Sequence, residues 1–442
     1  MLFGTQTINS KGHLEIGGCD TAELAAQFGT PLYVMDEELI RSNCRDYIKS
    51  FRSKYPNSKI AFAGKAFLTA AMTSILRQEG MYLDVVSAGE IHTAVKGGFP
   101  TERIYFHGNF KSASELKMAL QAGVGRIVVD NMQELELLSA LAAEAGKTAD
   151  ILFRLTPGID PHTHKLIRTG QADTKFGLNI KDGSAMAAVT RAQELPGIHL
   201  TGIHCHVGSQ CLETDAHTTA VGIMVEFAVE VYRKLGITFD EINTGGGLGI
   251  SYTHDQVPPT IDEFASKIAD AYTHAMETLG LPNRPTLVQE PGRSIVGTAG
   301  TTLYTVGTVK TVPITEAPGR RTYVAVDGGM SDNPRPALYG AVYQAHVANN
   351  MNRAEGEAVT ISGKHCETDI LISDATMPKL IPGDILAVKC TGAYNYSMSS
   401  NYNRFTKPAV VLVSGGRAEL IVKRETLDDL VRQDVVPDHL KR

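Results

Sequence analysis

The chain has 442 residues, a hydrophobic fraction of 43% and a formal net charge of −6. That length supports a large core and more than one domain, and the mildly acidic balance gives no general attraction to nucleic acid or anionic lipid. The opening Met1–Gln6 lacks a secretory pattern, no apolar run reaches bilayer-spanning length, and six cysteines without a CxxC pair argue against a disulfide scaffold or a structural zinc site. A reduced, cytoplasmic chain with no nucleic-acid or membrane partner is expected.

In chain order, His13–Ile16 offers a short strand and Asp36–Ser53 reads as a helix. Short β-branched runs then alternate with amphipathic stretches. Strands are expected at Lys59–Ala63, Tyr82–Val86, Arg103–Phe106, Arg126–Val129, Asp150–Leu155, His199–His204, Phe239–Asn243 and Thr286–Gln289. Helices are expected at Ser112–Gln121, Met132–Ala145, Val221–Leu235 and Ile261–Leu279, the last stopped by Gly280 with Pro282 just beyond. Strands alternating with helices imply parallel pairing and right-handed crossovers. Eight such units fit a (β/α)8 TIM-type barrel over residues 37–290. Beyond Pro291 the runs Thr302–Thr311, Thr322–Val326, Ile385–Lys389 and Ala409–Val413 are β-rich. They predict a second, mostly β C-terminal domain built from residues 291–442 and joined by 1–36. Pro313–Arg321 reads as an exposed loop.

Chemistry in such a barrel gathers at the C-terminal strand ends. Reading those ends gives Lys65, Asp84 to Ser87, His107, Asp130, Arg154, His206, Gly245 to Gly249 and Glu290 to Arg293. Two glycine-containing turns, Gly245–Gly249 and Glu290-Pro291-Gly292-Arg293, follow strands seven and eight, where this fold keeps phosphate sites. Lys65 leaves an apolar strand, so partial desolvation would suit it to Schiff-base chemistry; a snorkelling surface lysine is the plain alternative. A lysine beside a phosphate pocket is what pyridoxal phosphate requires. His204 and His206 share a strand face. With no third ligand nearby in sequence, a metal is not expected: His204 reads as a hydrogen-bonded core residue and His206 as a ring able to stack on a cofactor, with Ser209 available to a phosphate. Cys205 reads as packing, and His162 and His164 as parts of a solvated loop. Glu290 reads either as a structural partner of Arg293 or as a carboxylate on a pyridine nitrogen. Farther on, Arg335 with Tyr339 suits a carboxylate, Glu367 beside Cys366 an ammonium group, and Tyr394 either a phosphate or an ordinary hairpin.

The ordered set of Lys65, Asp84–Glu90, His204–Gln210, Gly245–Gly249, Glu290–Arg293, Asp327–Tyr339, Cys366-Glu367 and Gly392-Ala393-Tyr394 resembles the fold-type III pyridoxal-phosphate decarboxylases, an alanine-racemase-like barrel family, and among them the meso-diaminopimelate decarboxylases. The similarity runs over nearly the whole chain, with Gly64 and Ala88 as small departures. The resemblance implies that Lys65 carries the cofactor and His206 stacks on its ring. It places Ser209, Gly247, Glu290, Pro291, Gly292, Arg293 and Tyr394 around the cofactor, with Glu290 on the pyridine nitrogen. It implies further that Arg293, Arg335, Tyr339, Glu367 and Tyr394 hold an amino-acid substrate, that Cys366 is the proton donor, and that a homodimer shares its active sites. The implied reaction is decarboxylation of meso-2,6-diaminopimelate to L-lysine, the last step of lysine biosynthesis. A decarboxylase for another basic amino acid or carboxylated polyamine, a racemase and a non-catalytic cofactor carrier are the competing readings. Glu290 disfavours the racemase, Arg293 and Arg335 an ornithine-type decarboxylase, and the β domain with Arg335, Tyr339 and Glu367 the carrier.

Overall fold

A computed structural model describes residues 1–159, 173–315, 318–354 and 356–441. His162 and His164 lie outside the described residues. The chain forms two compact units, one of Ile40–Val296 and one of Met1–Leu39 with Gly297–Arg442. These divisions fall a few residues beyond the expected 36/37 and 290/291.

In the first unit, eight parallel strands among the described residues close on themselves: β1 (Ser58–Ala63), β2 (Tyr82–Val85), β3 (Ile104–Phe106), β4 (Arg126–Val129), β5 (Ala149–Thr156), β6 (Ile198–His204), β7 (Glu241–Asn243) and β8 (Thr286–Gln289). Neighbours pair in sequence order, and β8 returns to pair with β1. The expected (β/α)8 barrel is therefore what forms. Between strands run the expected helices Ala113–Ala122, Met132–Glu144, Asp215–Leu235 and Ile261–Leu279, joined by Ala70–Gln78, Ala88–Lys96 and Ser184–Ala192. Local chemistry sets their ends. Thr260 and Glu263 form a capping box, and Gly280, at φ +73°, closes the same helix in a left-handed conformation. Only a four-residue helix, Arg293–Val296, follows β8. The helix Glu37–Lys54 stands there instead, with Asn43 donating to the Ile295 carbonyl at 2.8 Å and Tyr47 bonded to Ser294 at 2.6 Å.

Alternation along each strand sorts inward residues into layers. Lys59, Ala61 and Ala63 on β1 match Arg126, Val128 and Asp130 along β4 and its end. The middle layer is apolar, formed by Ala61, Tyr105, Val128, Leu152 and Val288. Below it, Glu241 is buried and bonded to Lys59, to Arg126 at 3.1 Å and to the Tyr105 hydroxyl at 2.8 Å. Above it lie Asp84, His107, Asp130, Arg154, His204, Asn243 and Glu290, all buried.

The second unit is β-rich. Leu32–Asp36 pairs antiparallel with Gly300–Pro313 and parallel with Ala409–Ser414, so an N-terminal strand lies inside a C-terminal sheet. Its core holds Leu32, Val34, Leu303, Ala387, Val411 and Val413. A separate three-stranded sheet contains Leu14–Ile16.

The barrel floor predicts a stability effect. Replacing Glu241 with Ala leaves the part-buried Lys59 without its carboxylate and Arg126 with Asp150 alone, at 3.1 Å, and should lower unfolding free energy by about 3 kcal/mol. Chemical denaturation of the purified variant measures this, and a loss under about 0.5 kcal/mol would contradict the assignment.

Candidate active site

Lys65 leaves β1 in the turn Gly64–Ala66. Its ammonium lies 2.8 Å from the buried Asp84 carboxylate at the end of β2, with the lysine side chain 43% exposed. The expected partial desolvation agrees with that exposure, and Asp84 adds an anion that the sequence reading did not foresee, because β1 and β2 are neighbours. Glu90, which accepts from the Val86 amide at 2.6 Å, is a nearby carboxyl pushed up to about 7 by burial.

Glu290 ends β8 with its carboxylate buried. His107 Nε2 lies 2.9 Å from one oxygen, His204 Nε2 3.1 Å from the other, and Asn243 Nδ2 donates to the first at 2.7 Å. Burial opposes ionisation, but His107 and His204 outweigh it and hold the carboxyl well below its ordinary value. The structural alternative of a Glu290–Arg293 ion pair is not formed. Arg293 instead bonds the Tyr252 hydroxyl and, at 3.2 Å, the Ser209 hydroxyl. His204 is not merely a satisfied core histidine, since among the described residues its Nδ1 has no hydrogen-bond partner. The facing atoms of His107, His204 and Glu290 lie within 4.8 Å of one another. Sequence spacing hid this convergence, because the three residues come from β3, β6 and β8.

His206 follows β6. Gly246 donates its N–H to His206 Nδ1 at 3.3 Å, which leaves the ring proton on Nε2. Burial, with Lys65 and Arg154 nearby, puts the imidazole well below its ordinary value, so a neutral flat ring faces the mouth. Cys205, on the opposite strand face, is buried, and burial pushes its thiol up to about 12. The two glycine turns touch: the Glu290 amide donates to the Gly245 carbonyl at 2.8 Å, and a Cβ on Gly246 would stand 1.9 Å from the Glu290 carbonyl oxygen. Gly247, at φ +133°, carries the chain through a conformation side chains disfavour, and a Cβ there would meet the Gly208 carbonyl at 2.5 Å.

The second unit gathers its own group. Arg335 is buried, its guanidinium 4.9 Å from the Tyr339 ring and 5.4 Å from the Tyr394 ring. Among the described residues its Nε has no hydrogen-bond partner and no carboxylate lies in ion-pair range. Tyr394 holds φ +63°, a strained conformation for a bulky residue and one that a plain hairpin tyrosine would not need. Cys366 and Glu367 lie on an exposed loop. Asp369 anchors it, accepting from the Met330 amide at 2.7 Å and from His365 Nδ1 at 2.7 Å. Tyr402 stacks on His365 and donates to Glu367 at 2.6 Å.

The barrel mouth fits a phosphorylated aromatic aldehyde. It supplies a primary amine, a neutral ring, tight glycine turns with a hydroxyl and a guanidinium beside them, and an ionised carboxylate bonded only to imidazole and amide groups. Sequence reading named Asp84 and His107 as strand-end residues without assigning them a role, and missed Asn243 and Tyr252. Asn243 was visible only as the last residue of an expected strand.

A family model described as the pyridoxal-binding domain of pyridoxal-dependent decarboxylases matches residues 40–297. The diaminopimelate decarboxylase of Bacillus subtilis (strain 168) is 48% identical, over 98% of each chain. The crystal structure of M. jannaschii diaminopimelate decarboxylase in complex with L-lysine superposes with a TM-score of 0.92 at 38% identity, covering 100% of each chain. The Helicobacter pylori enzyme complexed with L-lysine gives 0.84 at 31%, over 93% of this chain and 98% of that one. A pyridoxal-dependent decarboxylase is the class these matches and the barrel define. The chain belongs, within that class, to the diaminopimelate decarboxylase family.

The turn-to-turn packing yields a prediction. Gly246→Ala forces backbone apart beneath the cofactor site and should cost about 2 kcal/mol of stability together with loss of bound pyridoxal phosphate. Thermal unfolding and the visible absorbance of the purified protein report the two effects, and wild-type values for both would refute the packing argument.

Proposed function

We propose that the chain decarboxylates meso-2,6-diaminopimelate to L-lysine and carbon dioxide, the last step of lysine biosynthesis. Similarity to diaminopimelate decarboxylases over nearly the full chain carries this reading. Bound pyridoxal phosphate supplies an electron sink for the bond that breaks. The roles of individual residues are part of the proposal.

Lys65 would hold the cofactor through its amine, with Asp84 placed to receive the ammonium when that amine is free. His206 would cover the ring while remaining neutral, adding no charge to it. Glu290 would keep the ring nitrogen protonated, the state that favours withdrawal of electrons from the reacting carbon. Gly247, Ser209, the Glu290-Pro291-Gly292-Arg293 turn and Tyr394 hold the cofactor. Arg335 suits a substrate carboxylate, because a buried guanidinium without an anionic partner gains one on binding. Arg293, Tyr339 and Tyr394 complete the clamp, and Glu367 takes the distal ammonium. Such remote contacts orient the scissile bond against the cofactor. Cys366 delivers a proton from Sγ to the carbon that has lost its carboxylate, a task that requires the neutral thiol.

We further propose a homodimer in which the Cys366-Glu367 loop serves the partner's site. The loop's exposure and its internal bracing by Asp369 and Tyr402 support this. A cytoplasmic setting suits six cysteines that are all unpaired, with Cys366 exposed. No helix among the described residues is long and apolar enough to cross a membrane.

Carbon dioxide release from meso-diaminopimelate, lysine, ornithine, arginine and carboxynorspermidine tests the substrate. Turnover is expected with the first. Activity confined to substrates lacking a distal carboxylate would overturn the specificity. Arg335→Lys should raise KM about 10–100-fold by losing bidentate recognition. Borohydride should fix the cofactor on Lys65. Mixing Lys65→Ala with Cys366→Ala subunits should restore activity, and confirmed heterodimers without recovery would exclude shared sites.

A further inference from the structure

Among the described residues, no lysine or arginine hydrogen-bonds Glu290 at the barrel mouth. Lys65 is bonded to Asp84 at 2.8 Å, while Glu290 meets His107, His204 and Asn243. Each donor comes from a different strand end: β3, β6 and β7. The Asn243 amide is oriented by its own neighbour, because Gly245 donates its N–H to Asn243 Oδ1 at 2.9 Å and so turns Nδ2 toward the carboxylate. The two imidazoles meet edge to face, 4.7 Å between centroids at 67°, which fixes both ring planes. Asp84, Asp130 and Arg154 face the same layer from β2, β4 and β5. Among the described residues none of them hydrogen-bonds Glu290.

We infer that His107, His204 and Asn243 form a donor cradle that positions the Glu290 carboxylate and keeps it ionised, and that the cradle thereby governs protonation of the cofactor's ring nitrogen. The inference rests on the reading of Glu290 as the partner of that nitrogen. A carboxylate accepting several hydrogen bonds is favoured over its protonated form, and with its oxygens tied down it cannot swing away from the ring. The donors touch neither substrate nor reacting atoms; they act through Glu290 and are positioning residues. His204 suits the task as a neutral donor: burial lowers it to about 4, so it adds a hydrogen bond without a charge that would compete with the ring nitrogen for Glu290. The same three atoms of His107, His204 and Glu290 would also suit a small cation, since they lie within 4.8 Å. Hydrogen bonds already account for both oxygens of Glu290, and the cradle explains the third donor, Asn243, which a cation would repel through its Nδ2 hydrogens.

The test uses holoenzyme reconstituted with pyridoxal phosphate carrying 15N in the ring, and reads the nitrogen chemical shift by NMR alongside steady-state kinetics and elemental analysis. In His107→Phe, His204→Phe and Asn243→Leu the shift should move toward the unprotonated value. The kcat should fall about tenfold in each, the scale of an outer-shell loss, while KM stays near wild type. His204→Gln, which retains an N–H donor, should recover most of both. If Glu290→Gln moves the shift and none of the three cradle variants does, the cradle is wrong and the role of Glu290 survives. If Glu290→Gln leaves the shift unmoved, the Glu290 reading fails and the inference with it. A divalent metal present in stoichiometric amount and lost in His204→Phe would also overturn the cradle. Should one aromatic variant fail to fold, the other two and His204→Gln still decide between these outcomes.

Discussion

A carboxylate sealed inside a barrel remains an anion only if its oxygens find donors, and much of the mouth of this barrel answers that requirement for Glu290. Taking such a group out of water costs several kcal/mol unless hydrogen bonds replace the lost hydration. Three strands each end in a residue able to donate to it, and the glycine turns bring backbone close on either side. The arrangement leaves a negative charge matched by polar groups and not by a bonded lysine or arginine. The protonated cofactor ring proposed for this site would complete it, a fit that would depend on where the protein withholds a cation as much as on where it places an anion.

The layers explain how one sequence rule produces two opposite environments. A period of two carries β1 through Lys59, Ala61 and Ala63, and β4 through Arg126, Val128 and Asp130. The polar floor around Glu241 and the polar mouth around Glu290 are the same side-chain rows, two steps either side of an apolar plane. Ala61, Val128, Leu152 and Val288 in that plane separate the networks, so neither acid can borrow the other's partners. The floor pairs its carboxylate with two cations and a phenol, a stabilising choice. At the mouth, Glu290 has imidazole and amide donors in place of a lysine or arginine.

Most of this was legible in the sequence where one strand or one turn decided the outcome. All eight barrel strands, the cap at Gly280 and the glycine turns after β7 and β8 follow from local pattern. Leu32–Asp36 was not legible: its five residues precede a helix directly, and only pairing with Gly300–Pro313 and Ala409–Ser414 makes them a central strand. The partners of Glu290 lay 183, 86 and 47 residues away, so no spacing rule could join them. Lys65 shows the opposite failure. Its place at the strand end and its partial burial were legible, but its counter-ion was not, because Asp84 sits on a neighbouring strand and reaches it only after the barrel closes.

The second unit solves a related problem with rings in place of hydrogen bonds. A buried guanidinium without an anionic partner is costly, and Arg335 is held against the faces of Tyr339 and Tyr394, whose quadrupoles attract the cation without neutralising it. Tyr394 reaches that place only by adopting a left-handed backbone, a strain of roughly 1 kcal/mol that a glycine would avoid. The strain makes sense if the ring is needed, since a glycine there would leave one face of the guanidinium uncovered. A charge stabilised by π faces keeps its N–H groups available in the plane of the fork, where a carboxylate binds them two at a time. Pairing Arg335 with a protein acid would have been more stable, and would have occupied the N–H groups that the proposed substrate carboxylate needs.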